Sequence, residues 1–309
     1  MHWVTLSLIS ALFLGFYDLS KKHAVHANAV LPVLFLSTVF GAVVWVALMA
    51  VQAFAPAHLP AVLNVAPLSL AQHGQVLLKS LIVAGSWVLT YFAFKHLPMS
   101  IAAPIRATGP LWTLGGAILV LGERPSWLEL VGIATTLGSF VGLSFAGRRE
   151  GIHFHRDKWV GFLLGGTLLG AVSGLYDKYL FGRAGFEAST VQAWFSIYLV
   201  ALFLPLAIGW KRRWWPRAEF HWRWSIPWIG WFLLLADFAY FTALREEDAL
   251  VSLVSSMRRG STLVAFAGGL WLFRERGGWQ KIVAVLGVVA GIVLTAAAPW
   301  VESLLGLSG

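Results

Sequence analysis

Stretches of about 20 mostly apolar residues follow one another along nearly the whole chain, and a helix of about 20 such residues is what spans a bilayer core of roughly 30 Å. No soluble fold hides that much apolar surface. Composition agrees: hydrophobic residues make up 58% of the 309 and charged residues 12%, where a soluble domain carries about a quarter charged. A soluble enzyme or binding module is thereby excluded. The chain has no cysteine, which removes disulfides, thiolate metal sites, iron–sulfur clusters and cysteine nucleophiles. Its formal charge of +9 sits in short connections between apolar runs. That is how charge sets topology, not how a nucleic-acid surface is built. Met1-His2-Trp3 offers no basic leader and the first run ends at Asp18 and Lys21 without a small-residue cleavage site, so no cleavable signal is expected.

The apolar runs predict an all-α integral membrane protein with ten spans, at about 3–22, 30–51, 74–94, 99–121, 127–146, 159–180, 190–209, 225–244, 249–273 and 279–299. Connections such as 122–126 and 274–278 are short. One of the most polar, 147–158, falls near the middle.

The two sides of that middle repeat each other. Gly15-Phe16-Tyr17-Asp18 returns as Gly174-Leu175-Tyr176-Asp177, and Thr90-Tyr91-Phe92 returns as Ala239-Tyr240-Phe241. Arg106, Gly122-Glu123-Arg124 and Trp127 return at one constant spacing as Arg258, Arg274-Glu275-Arg276 and Trp279. Apolar similarity alone rarely reproduces Asp, Arg and Glu in register. The expected domains are therefore a first five-helix repeat over 1–146 and a second over 159–300. With five spans each, the second copy enters the membrane from the opposite side, giving two inverted repeats.

Lys and Arg set the orientation. Most of them, from Lys21 and Lys22 through Arg148 and Arg149 to Arg274 and Arg276, share one side. Lys79, Arg124, Lys178, Arg183 and Arg245 fall on the other. The richer side is expected to be cytoplasmic, with both termini outside. Trp210, Trp214, Trp215, Trp222, Trp224, Trp228 and Trp231 crowd one border, as an interfacial aromatic belt does.

Charges within spans carry the functional signal, because a central Arg or Asp costs about 2.5–3.5 kcal/mol to insert. Arg106 in span 4 and Arg258 with Arg259 in span 9 qualify. Ser252, Ser255, Arg259 and Thr262 would share one helical face, as would Arg106, Gly109, Pro110 and Thr113. Pro104 and Pro110 bracket Arg106, and each removes a backbone donor and favours a kink. One reading has the three arginines converge on an anionic substrate through their forked donors. Another pairs them structurally with Asp18, Asp177 and Asp237, equal in number. In a third, such pairs open and close during transport.

Asp18, Asp177 and Asp237 are the candidates for coupling or gating; Asp18 and Asp177 would otherwise pair at helix ends with Lys21, Lys22 and Lys178. Ser255, Tyr17, Tyr91, Tyr176 and Tyr240 are candidate hydrogen-bonding groups for a substrate, although each tyrosine alone reads equally as packing. Glu123 and Glu275 suggest a shared structural contact at a helix end or interface. Glycines 165, 166, 170 and 174 suggest close helix packing. No metal-ligand pair, nucleophile elbow or phosphate loop is apparent; a site at His153 and His155 would have only those two residues to recommend it.

These residues resemble the drug/metabolite transporter superfamily, in particular its EamA-type ten-helix branch. The resemblance rests on the Pro110-to-Trp127 stretch with Gly122-Glu123-Arg124, on its counterpart Arg274-Glu275-Arg276, and on Gly15 followed by polar residues and Lys21. It implies alternating access around a cavity lined by spans 1, 3 and 4 and their counterparts 6, 8 and 9. Members of that superfamily export amino acids and drugs or exchange nucleotide sugars and sugar phosphates. Arg106, Arg258 and Arg259 look like the basic positions that hold phosphate in the sugar-phosphate branch. Termini outside the membrane depart from the cytosolic termini usual among eukaryotic members.

The expected function is thus a secondary transporter of a small polar metabolite, an organic anion or phosphorylated compound. An exporter of amino acids or hydrophobic compounds is the alternative. An enzyme is not expected, since no nucleophile–base pair sits at a span end. The expected partners are the substrate, membrane lipid and a coupling proton or counter-substrate, with no cofactor and no nucleic acid, in a monomer or homodimer. Compact loops and basic bias fit a bacterial inner membrane.

Overall fold

The computed structural model describes residues 2–97, 105–106, 108–145, 157–214, 218–261, 264 and 279–304. The described residues are helical and carry no strand. The α-helices are α1 (His2–Val25), α2 (Val30–Phe54), α3 (Leu70–His96), α4 (Gly109–Gly116), α5 (Trp127–Phe145), α6 (Lys158–Lys178), α7 (Ala188–Lys211), α8 (Ser225–Arg245), α9 (Val251–Arg258) and α10 (Trp279–Leu304). Among the described residues six stretches are long and apolar enough to cross a membrane: α1, α2, most of α3, α6 with its wide final turn, α7 and α8. Their outward faces remain apolar, with Val43, Val46, Leu78, Leu81, Val172 and Leu204 exposed, as lipid contact requires.

Helix starts follow local chemistry. Ser69 and Gln72 form a capping box on α3, with the Ser69 amide donating to Gln72 Oε1 at 2.8 Å. Ser126 and Glu129 do the same on α5 at 2.7 Å. Asp157 accepts from the Trp159 amide to start α6. Each device satisfies amides that have no partner within the first turn.

Spans 4 and 9 differ from the continuous helices that the apolar runs suggest. Residues 105–106 are helical, Thr108 forms a turn, and α4 begins only at Gly109 with Pro110 in its first turn. Pro110 has no amide to continue a ladder, so the interruption falls at the expected place; Pro104 lies outside the described residues. In span 9, α9 ends at Arg258 and a turn holds Arg259 and Gly260. The amides of Arg259 and Gly260 reach back only three residues, to Ser256 and Met257 carbonyls at 3.0 and 2.9 Å. Of the expected Ser252-to-Thr262 face, Ser255 and Arg259 line one cavity and Ser252 does not, while Thr262 lies outside the described residues.

The main helix pairs are α1 with α8, α3 with α6, α2 with α7 and α5 with α10. α9 packs on α1, α4 on α6, and α4 on α9. Among the described helices, the α1–α8 pairing is mirrored by α6–α3 and the α1–α9 contact by α6–α4. At the α5–α10 crossing a Cβ on Gly132 would lie 2.7 Å from Thr295 N, and one on Gly291 would lie 2.6 Å from Thr136 N. Small residues let these backbones meet. α6 approaches α3 in the same way. A Cβ on Gly166 would come within 3.0 Å of the Ser86 carbonyl, and Ser86 Oγ donates to the Gly166 carbonyl at 2.7 Å.

Candidate functional site

The helices α1, α3, α4, α6, α8 and α9 surround a cavity of about 220 Å³, with Phe195 of α7 closing one wall. Tyr17, Tyr91, Arg106, Asp177, Asp237, Tyr240, Ser255, Arg258 and Arg259 all face it. The arginines arrive at the two interrupted spans, where the chain changes course and can turn long side chains inward.

Toward one end, Asp18 accepts from Lys21 Nζ at 2.8 Å and lies 3.7 Å from Arg106. Lys21 also sits 4.4 Å from the centre of the Tyr17 ring, and the Tyr17 and Tyr91 hydroxyls are 3.3 Å apart. Asp18 stands behind Lys21 and not on the cavity wall. Elsewhere on the wall, Lys79 and Asp177 form a buried ion pair with side chains 2% and 4% exposed. Lys79 lies against the Phe195 and Phe241 rings. Arg258 Nη2 donates to Asp237 at 2.9 Å, and its guanidinium lies 4.0 Å from the Tyr240 ring centre.

The charges do not cancel. Lys21, Lys79, Arg106, Arg258 and Arg259 line the cavity, against Asp177 and Asp237 on its wall and Asp18 just behind. The Nε atoms of both Arg258 and Arg259 are buried with no hydrogen-bond partner among the described residues. A buried guanidinium with an unused donor is costly, and an anion in the cavity would relieve it.

Several sequence-based expectations are corrected by these contacts. Asp177 does not pair with Lys178; Lys178 Nζ donates to the Ala249 carbonyl, and Asp177 turns inward to Lys79. Lys79 is no flanking charge of the less basic side: it lies within α3 and is fully buried. Tyr176 does not line the cavity. Its hydroxyl donates to the Gln75 carbonyl at 3.3 Å and its ring stacks on Tyr179. Ser252 also points elsewhere, its hydroxyl donating to Glu123 Oε2 at 2.7 Å.

That last contact explains Glu123. Its Oε1 accepts from the Val251 amide at 2.7 Å and its Oε2 from the Ser252 hydroxyl, so it caps α9 from the end of span 4. Gly122, at φ +70°, turns the chain so that the carboxylate reaches α9. Glu275, His153 and His155 lie outside the described residues. Among the described residues no group of three or more His, Asp or Glu is arranged to hold a metal.

Lys21 and Lys79 line the cavity without being among the expected site residues, and Lys79 is the more informative miss. Its signal was available: a cation nine residues inside an apolar helix needs a partner as much as Arg106 does.

Comparison with known proteins agrees with this architecture. A crystal structure described simply as "Crystal structure of protein" is similar over 95% of this chain and 98% of its own, with a TM-score of 0.71 at 14% identity. At that identity the likeness concerns the fold alone. The sequence finds no match among curated proteins. Residues 1–145 match the EamA-like transporter family, whose members are membrane transporters of small molecules. The chain is thus a multi-pass membrane protein whose residues 1–145 match the EamA-like transporter family, consistent with a member of the drug/metabolite transporter superfamily.

Proposed function

We propose that the chain is a secondary active transporter that carries a small organic anion, with a phosphorylated metabolite as its best-fitting cargo. The carrying observation is the surplus of cations around one cavity, with two guanidinium Nε atoms that have no hydrogen-bond partner among the described residues. Arg259 and Arg258 hold the anionic group, with Arg106 facing it from the other half. Ser255, Tyr17, Tyr91 and Tyr240 supply neutral hydrogen bonds. Guanidinium forks bind phosphate through paired donors, and a charge-assisted hydrogen bond contributes about 1.5–3 kcal/mol.

In this reading residues 1–146 and 159–300 are inverted five-helix repeats that exchange inward-open and outward-open shapes. The reciprocal helix pairing supports it. So do the interruptions beside Arg106 and Arg258, since transporters of this kind bind substrate where spans are discontinuous. Asp18, Asp177 and Asp237 act as gating or coupling carboxylates whose cationic partners change between states. The basic connections face the cytoplasm, both termini face outward, and a bacterial inner membrane is the proposed location.

A second reading has its own support. Arg106 and Arg258 each face a carboxylate, and Trp87 adds aromatic surface. On that basis the cargo would be an amino acid or hydrophobic compound and the arginines structural.

Thermal unfolding of purified protein separates the two. A ligand at a hundredfold excess over its dissociation constant stabilises the folded state by about 2.7 kcal/mol. Phosphorylated metabolites should raise the melting temperature, and Arg259→Ala should abolish the rise. A rise with amino acids or cationic drugs alone would make the second reading the correct one.

A further inference from the structure

Where α1 ends and α8 begins, the surface of this helix pair carries an open cleft of about 510 Å³. It shares no lining residue with the main cavity. Ser20 and His23 line it from α1, Trp228 and Phe232 from α8, and Arg223 stands at its mouth.

The two helices run antiparallel and present the same order of chemistry. Phe16, Ser20 and His23 fall on one stripe of α1, and Phe232, Trp228 and Ser225 on one stripe of α8. At one end the Phe16 and Phe232 rings lie 5.4 Å apart; at the other, His23 Nδ1 and Ser225 Oγ lie 2.9 Å apart. At 1.5 Å per residue, the aromatic end is about 10 Å deeper than the polar end. Trp228 stacks on Phe232 at 5.4 Å between them. The exposed lining is almost wholly apolar, and Trp224 and Trp228 are 77% and 53% exposed. Such a wall fits a hydrocarbon chain, and tryptophans at this depth belong to the membrane border.

The mouth has the opposite character. Arg223 Nη1 donates to the His23 carbonyl, and its other donors have no hydrogen-bond partner among the described residues. Lys22, Arg212 and Arg213 stand on the same border; the acid there, Glu219, lies 3.7 Å from His221. A guanidinium fork fits a phosphate oxyanion. A free phosphate would leave the aromatic wall uncovered, and a hydrocarbon without a headgroup would leave the fork unused.

We propose that this cleft holds one anionic phospholipid, with an acyl chain along Trp228, Phe232 and Phe16 and the headgroup phosphate at Arg223. The lipid bridges the end of α1 and the start of α8. The site does not rest on the transport reading above.

The test is thermal unfolding of the purified, delipidated full chain in detergent, with phosphatidylglycerol or phosphatidylcholine of identical chains added. Phosphatidylglycerol should raise the melting temperature saturably by roughly 3 °C or more, and phosphatidylcholine should raise it less. Arg223→Gln should weaken the apparent affinity for phosphatidylglycerol about fivefold and remove the preference; Arg223→Lys should keep it. Trp228→Ala changes an exposed side chain, serves where Arg223→Gln does not fold, and should weaken the response to both lipids. Arg212→Gln, on the same border but outside the cleft, should respond as the wild type does. Equal responses to the two lipids in the wild type, an undiminished preference in Arg223→Gln, or an unchanged response in Trp228→Ala would each overturn the site. So would the same loss in Arg212→Gln, which would mean attraction to the basic border as a whole. The lipid response should persist in Arg259→Ala; its loss there would put the lipid in the main cavity instead.

Discussion

Arg258 donates to Asp237 at 2.9 Å while its guanidinium lies over Tyr240, 4.0 Å from the ring centre, and its Nε has no hydrogen-bond partner among the described residues. One side chain thus ties α8 to α9 and still keeps a donor in reserve at the cavity. Asp237→Asn should free more of its charge. The expected result is tighter binding of phosphorylated ligands by roughly three- to tenfold, equivalent to about 0.7–1.4 kcal/mol. Isothermal titration measures it. Weakened anion binding in this variant would mean that Asp237 positions the guanidinium for the ligand.

The Lys79–Asp177 pair is sealed among Phe195, Phe241 and α6. Removing one partner strands a buried charge, so Lys79→Met or Asp177→Leu should destabilise by about 3–5 kcal/mol. The double variant Lys79→Met/Asp177→Leu should recover much of that loss, because both charges leave together. Melting temperatures of the three variants form the double-mutant cycle. If the pair is also a gate, the recovered double variant should remain poor in transport.

Glu123 caps α9 across the protein interior. Glu123→Ala should cost about 1–2 kcal/mol and speed amide exchange at Val251 and Ser252, whereas Glu123→Gln should retain part of the cap through its remaining oxygen. Gly122→Ala should show a milder version of the same defect, since an alanine resists the left-handed backbone that aims the carboxylate.

The α5–α10 crossing has no room for a side chain at Gly132 or Gly291. Gly291→Leu should separate the two helices and lower stability by about 1–3 kcal/mol or more. Measured by thermal unfolding in detergent, it should be far more damaging than Gly138→Leu one turn and a half away on α5, where an added Cβ meets nothing within 4 Å.

Much of this molecule is legible in its residues, for identifiable reasons. Apolar runs mark the long helices because lipid tolerates little else, and α2, α7 and α8 begin and end within a few residues of the expected bounds. Arg106, Arg258, Arg259 and Asp237 stand out because charge within a span requires a reason, and all four reach the cavity. Side-chain direction is what sequence conceals. Tyr176 stands in the same Gly-x-Tyr-Asp sequence as Tyr17 but faces α3, because a local motif fixes the place on a helix and not the neighbour across it. Lys79 reads in sequence as a flanking charge because its partner, Asp177, lies almost a hundred residues away. The close approaches of Gly132 to Thr295 and of Gly291 to Thr136 are likewise hidden in sequence, since they exist only once both helices are in place.

The most direct measurement is uptake of a radiolabelled phosphorylated metabolite into proteoliposomes preloaded with the same compound, compared between wild type and Arg259→Ala. The account predicts saturable exchange by the wild type and its near-complete loss in Arg259→Ala, with the variant folded and inserted at the same density. Exchange by Arg259→Ala at the wild-type rate, or exchange by the wild type of amino acids or hydrophobic cations but no anion, would contradict it.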